Sequence, residues 1–132
     1  METKTIDRLY NRITSAVLFS PERHHTKQAV ETVLTKIGGK LDRTDFNALE
    51  NLEFCAPNDK PLFTVLKSEN PVVYLSPGIE QIDNLQAENW TARAFAEGIA
   101  MAKGTIKSKI AHEVDTMLAT WNYPAAERTA TA

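Results

Sequence analysis

The sequence predicts an α+β fold that is predominantly helical, with three N-terminal helices, one β-hairpin at about residues 62–75 and one long C-terminal helix at about residues 85–121. Three observations lead there. Apolar residues recur at three- and four-residue spacing over most of the chain, the period of a helix buried along one face. Only two short runs, residues 62–67 and 71–75, are rich in β-branched and aromatic side chains. Strand-like and helix-like segments do not alternate, which excludes a doubly wound parallel sheet.

The first helix is expected over residues 4–18. Ile6, Leu9, Tyr10, Ile13 and Val17 form its apolar stripe, and Asp7, Arg8, Asn11 and Arg12 occupy the other face. Ser20-Pro21 then signals a start: the serine hydroxyl can cap, and a proline at the first helical position loses no hydrogen bond. Glu22 suits the positive end of the helix dipole. Ala29, Val30, Val33, Leu34 and Ile37 continue as a stripe, so the second helix should cover residues 21–37. Gly38-Gly39 ends it, on the expectation of a left-handed cap. The third helix is expected at 44–54, capped by Thr44 or Asp42, with Phe46, Leu49 and Leu52 as its contacts. The turn cluster at 55–61 closes it, because Pro57 and Pro61 lack the backbone donor.

Ser68-Glu69-Asn70 separates the two strand-like runs, which makes a hairpin the natural reading. Pro71 must open its strand or lie on an edge. A lone hairpin is marginal in water and needs cover from the helices or from another chain. Ser76-Pro77 repeats the start signal and predicts a short helical turn at 77–84. Trp90, Ala94, Ile99, Ile106, Ile110, Val114, Met117, Leu118 and Trp121 then follow a helical period. Gly98 and Gly104 fall inside it, each unfavourable by ~1 kcal/mol against alanine. A break at Lys103-Gly104 with Thr105 as the new cap is the alternative to the continuous helix adopted here. Continuous, that helix spans ~52 Å, against a radius of gyration near ~14 Å for a compact domain of this size. It would project, and projection implies a partner.

The chain has 132 residues, enough for one domain, read as residues 1–122 with a flexible tail at 123–132. Ile13, Val17, Val30, Leu34, Ile37, Leu49, Ile106, Ile110 and Val114 are the expected core, with Trp90, Phe95 and Trp121 as anchors at its margin or at an interface. Hydrophobic residues at 42% and charged residues at 24% are ordinary for a globular protein and exclude wholesale disorder. The formal net charge of −2 argues against a general polyanion binder. It is the sum of +3 over residues 1–43, −6 over 44–100 and +1 over 101–132, so the middle reads as acidic. One cysteine excludes an internal disulfide framework and an all-cysteine zinc site. Asp7, Arg8, Asn11 and Arg12 interrupt any signal-peptide-like stretch, and no segment approaches the ~18 apolar residues of a membrane span. A cytoplasmic protein without membrane contact is the expectation.

No motif specifies chemistry. His24 and His25 are adjacent on a helix and diverge by about 100°, so they do not chelate one metal easily. A second zinc histidine four residues after His112 would fall on Thr116. Ser108, His112 and Asp115 share a helix face, but three side chains fanned down one helix do not assemble a nucleophile, base and oxyanion hole. Cys55 lacks any nucleophile signature and reads as a small buried residue. Gly38-Gly39-Lys40 is no phosphate loop, and Asp42, Asp45, Glu50 and Glu53 lack the spacing of a calcium loop. No catalytic residue, metal ligand or cofactor is assigned.

The leading expectation is therefore a non-enzymatic homo-oligomeric interaction protein. It would bind another macromolecule, a protein partner above all, through the acidic middle, or build an assembly. Small residues dominate positions 92–104, and Ala92, Ala96 and Ala100 form a smooth stripe; with Trp90 and Trp121 they are the candidate interface. The alternative is a protein that binds a small anionic ligand or nucleotide at a subunit interface. Arg23, His24, His25, Lys27 and Ser76 are its candidate contacts. A second alternative is nucleic-acid binding through Arg8, Arg12, Arg23, Lys27, Lys36, Lys40 and Arg43, which interleaved acids weaken.

Overall fold

The computed structural model describes residues 3–15, 24–55, 64–66, 71–74 and 77–124. The fold is predominantly helical with a small sheet. In chain order the elements are α1 (Thr3–Thr14), α2 (His24–Ile37), α3 (Arg43–Glu50), β1 (Glu53–Cys55), β2 (Thr64–Leu66), β3 (Val72–Tyr74), a 3-10 helix (Pro77–Gln81), α4 (Asn84–Ala102) and α5 (Lys107–Thr120).

The apolar stripe of α1 docks on α2, with Leu9 and Ile13 buried and Ile6 and Tyr10 packed against the same core. Val17 and the Ser20-Pro21 start signal lie outside the described residues. Along α2 the expected stripe is buried in full, from Ala29 to Ile37. The glycine that ends α2 has a different role from the one expected. Gly38 is not left-handed; a Cβ there would meet Ile6 Cδ1 at 2.7 Å and Leu34 O at 3.1 Å. Glycine at this point lets α1 close onto the end of α2.

Asp42 caps α3 by accepting from Asp45 N at 2.8 Å. The helix stops at Glu50, four residues before the expected end, and Glu53–Cys55 forms a strand instead. Tertiary pairing outweighs the local helical period here. Leu52 is fully buried, and Phe54 meets Phe95 edge to face at 6.0 Å. The sheet has the order β1-β3-β2. The expected hairpin is present as the antiparallel pair β2–β3, and β1 joins β3 in parallel with Phe54 opposite Val73. The hairpin is thus covered within the chain, by β1 and by α4.

The long C-terminal helix is two helices. Gly104 adopts φ 81°, Thr105 N donates to Ala100 O and Gly104 N to Met101 O. That pair of bonds is a Schellman termination, which glycine favours because it tolerates the left-handed conformation. Lys103 is the C-cap. Thr105 does not cap the new helix; Ile106 holds the N-cap position without a side-chain bond and is 59% exposed, so it leaves the expected core. α5 then runs back along α4, placing Glu113 beside Lys103 and Tyr123 beside Glu88. It ends in the same way, with Asn122 at φ 65° and Tyr123 N donating to Leu118 O.

α4 lies at the centre, against α2, α3, α5 and the sheet. This explains its composition. Ala92, Ala96 and Ala100 are fully buried within the single chain, so the small-residue stripe is core packing and not a surface offered to a second subunit. Trp121 is buried in the same core. Trp90 packs in a second cluster with Ala29, Ile79, Ala87 and Ile82. Tyr123, expected in a loose tail, is buried; its hydroxyl donates to Glu88 Oε1 at 2.7 Å, and the same carboxylate pairs with Lys36. Among the described residues no helix is long and apolar enough to cross a membrane.

Candidate functional site

The start of α2, where an anion was expected, is occupied by a carboxylate of the chain itself. Glu80, from the 3-10 helix, accepts from His25 N at 3.1 Å, from Thr26 N at 2.6 Å and from the buried Thr26 hydroxyl at 2.7 Å. The positive end of α2 is thereby matched with a carboxylate. The His25 ring donates Nε2–H to Ile82 O at 2.8 Å, which holds the 3-10 segment down from the other side. His24 is exposed and Lys27 half-buried, while Arg23 and Ser76 lie outside the described residues.

Most of the acidic middle is likewise taken up by internal contacts, in six of its seven described acids, with Glu53 left exposed. Seven of its nine acids are described. Glu50 pairs with Arg8, Glu88 with Lys36, Glu97 with Arg93 and Asp45 with Lys103. Glu80 binds the α2 start, and Asp83 caps α4 through Gln86 N. Burial holds the Glu97 carboxyl above the usual carboxylate range, only partly offset by Arg93. The basic N-terminal part is thinned in the same way: besides Arg8 and Lys36, Arg12 donates to Leu52 O at 3.0 Å. Lys40 and Arg43 remain exposed. Among the described residues neither a continuous acidic face nor a continuous basic one results. Cys55 is exposed at the end of β1, contrary to the buried position expected.

A cleft of about 420 Å³ opens between α5 and the turn joining α2 to α3. Local sequence explains each wall. On α5, His112, Thr116 and Thr120 follow one another at four-residue spacing and so share a face. Met117 and Trp121, both buried, form the apolar floor. The opposite wall carries Lys40 from the turn, Asp42 from the cap of α3 and Asp45 from its first turn. Lys103 closes one end. Its ammonium donates to Asp45 Oδ1 at 2.8 Å and to Glu113 Oε1 at 3.0 Å, tying α3, α4 and α5 together.

The hydrogen bond to Asp45 is the main cause that holds the Lys103 ammonium above the ordinary lysine range; burial opposes it and Glu113 supports it. The position at the end of α4 also places this cation against the negative end of a helix dipole. Both threonine hydroxyls donate into their own helix, Thr116 to His112 O and Thr120 to Thr116 O, at 3.0 Å each. Among the described residues, the Lys40 ammonium and the His112 ring have no hydrogen-bond or ion-pair partner. Of the described anion-contact candidates, His24, His25 and Lys27, none lines this cleft, and of the interface candidates only Trp121 does. The signal for the cleft was the helix break: once the chain turns at Gly104, Glu113 falls beside Lys103. Among the described residues, no group of three or more His, Cys, Asp or Glu side chains is placed to hold a metal ion.

No family model, curated protein or solved structure matches the chain.

Proposed function

We propose that the chain is a non-enzymatic binding protein that takes a small polar ligand into the cleft between α5 and the α2–α3 turn. The observation that carries this reading is the cleft itself, of about 420 Å³, with both signs of charge over the apolar floor of Met117 and Trp121. Its size falls in the ~300–1,000 Å³ range of small-molecule sites, and eight of its ten lining residues are polar, which suits a polar ligand. The threonine hydroxyls are turned into their helix and the carboxylates carry a cap or an ammonium, an arrangement that holds a ligand rather than activating a nucleophile.

Titration calorimetry against a panel of small anionic, cationic, zwitterionic and neutral molecules tests it. Thr116→Trp, an exposed position on the cleft wall, should abolish binding while leaving the fold intact. Binding that survives this substitution, or a wild-type protein that takes up no member of the panel, would overturn the reading.

Docking of another macromolecule, or of a second copy, is favoured by one observation. At the start of α5, Ile106 is 59% exposed between Gly104 and the exposed Lys107 and Lys109. Light scattering at high protein concentration, compared with Ile106→Ser, tests it; a monomer in both cases counts against the second copy.

A further inference from the structure

Resting on that cleft reading, we propose that the ligand is a small zwitterion, of which an α-amino acid is the simplest member. The inference comes from asking which polar groups of the cleft are already committed and which are open. Glu113 is committed at both oxygens, to Lys103 through Oε1 and, more weakly, to the Thr105 hydroxyl through Oε2 at 3.4 Å. Asp42 uses Oδ1 for the α3 cap, and Asp45 uses Oδ1 for Lys103. Among the described residues each of these two aspartates keeps its second oxygen as an acceptor. Among the described residues the open donors are the Lys40 ammonium, the His112 ring and the third N–H of the Lys103 ammonium, whose other two serve Asp45 and Glu113.

A ligand therefore meets unfilled donors and unfilled acceptors in one recess. A carboxylate suits the donors, with a lysine and an imidazole able to engage its two oxygens. An ammonium suits the acceptors. The formal charges, Lys40 and Lys103 against Asp42, Asp45 and Glu113, are close to balance. The positive end of α3 lies beside Asp42 and narrows the difference. A polyphosphate would face three carboxylates, and a polycation would face two ammonium groups. Neither charge type gains from entering, whereas a molecule with one charge of each sign does. The floor adds only a narrow apolar contact, since Met117 and Trp121 line the recess but are 6% and 2% exposed.

The experiment titrates the full chain with phenylalanine, with phenethylamine and with 3-phenylpropanoate. These share one apolar body and differ only in charged groups. Phenylalanine is expected to bind at least tenfold more tightly than either analogue. Lys40→Ala and His112→Ala should weaken phenylalanine several-fold and leave phenethylamine unchanged. Asp42→Asn, which keeps a capping oxygen and removes the charge, should weaken phenylalanine and leave phenylpropanoate unchanged. Equal binding of phenylpropanoate, or of phenethylamine, overturns the zwitterion while the cleft stands as a site for an anion or a cation. Absence of binding by all three overturns the zwitterion too, and the broader panel with Thr116→Trp then decides the cleft separately.

Discussion

Gly98→Ala tests how closely α4 packs on the sheet layer. Inside a helix this change ordinarily stabilises by about 1 kcal/mol, since alanine loses less backbone entropy. At this position the added Cβ would lie 2.7 Å from Leu52 Cδ1 and 3.3 Å from Leu52 Cδ2, with Val73 Cγ2 at 3.5 Å. Leu52 and Val73 are both fully buried, so the leucine tip cannot turn out into solvent. Forcing extra volume into such a site costs ~1–3 kcal/mol. The net expectation is a loss of about 1 kcal/mol, the reverse of the ordinary sign. Leu52→Ala removes both opposing methyl groups at a cost of its own, roughly 2–5 kcal/mol. In that background the alanine at 98 enters vacated space, and Gly98→Ala should stabilise by about 1 kcal/mol. The coupling between the sites is then about 2 kcal/mol, well above the ~0.3–0.5 kcal/mol scatter of independent positions. Urea denaturation of the four proteins measures it, provided the slope with denaturant stays constant. Equal stabilisation by Gly98→Ala in both backgrounds would refute the close approach of α4 to Leu52.

Glu80→Gln removes the charge that binds two amides and a buried hydroxyl at the start of α2. A loss of about 1–3 kcal/mol in chemical denaturation is expected, with faster hydrogen exchange at the amides of His25 and Thr26. Glu97 has a folded carboxyl raised by burial, so the wild-type protein loses stability as pH rises from the ordinary value of 4.5 through the raised one. Glu97→Gln lacks that loss, and its stability relative to wild type should climb between pH 4 and 7; a flat difference would contradict the burial. Lys103→Met should cost ~0.5–1 kcal/mol at neutral pH, a modest value because the pair is partly solvated. The Lys103 ammonium is held above its ordinary 10.5, so its contribution is complete below that pH and fades as pH rises through the folded value. The gap between wild type and Lys103→Met should therefore close only in strongly alkaline solution, as followed by intrinsic tryptophan fluorescence.

Much of the fold was legible because each helix carries its own period and its own punctuation. The stripes of α1 and α2, the Asp42 cap and the β2–β3 hairpin all depend on neighbours within a few residues. The failures occur where tertiary context overrides that local pattern. Glu53–Cys55 continues an apolar spacing compatible with α3, and becomes a strand because β3 is there to pair with it. The break at Gly104 was visible as a glycine and undecidable as a break, since Gly98 stands in the same apolar pattern without ending the helix. What separates the two is the neighbour each one meets. Gly98 is covered by Leu52 and Val73, whereas nothing lies within 4 Å of a Cβ at Gly104.

The same reasoning explains why the site was harder to see than the fold. A charge count along the chain assigns acids and bases to segments, yet ion pairs form between segments. Glu50 and Arg8 are 42 residues apart, Asp45 and Lys103 are 58, and Thr26 and Glu80 are 54. Each pair removes one apparent feature, whether an acidic middle, a basic N-terminal part or an empty helix start. What survives is the set of polar groups that the fold leaves without an internal partner. Lys40 follows a pair of glycines and His112 precedes a glutamate, so neither carries a local signature. Only the return of α5 along α4 brings His112 to the wall opposite Asp42 and Asp45, and Glu113 to Lys103 at the end of the cleft. A search for function in this chain therefore starts from the charges the fold has not already neutralised.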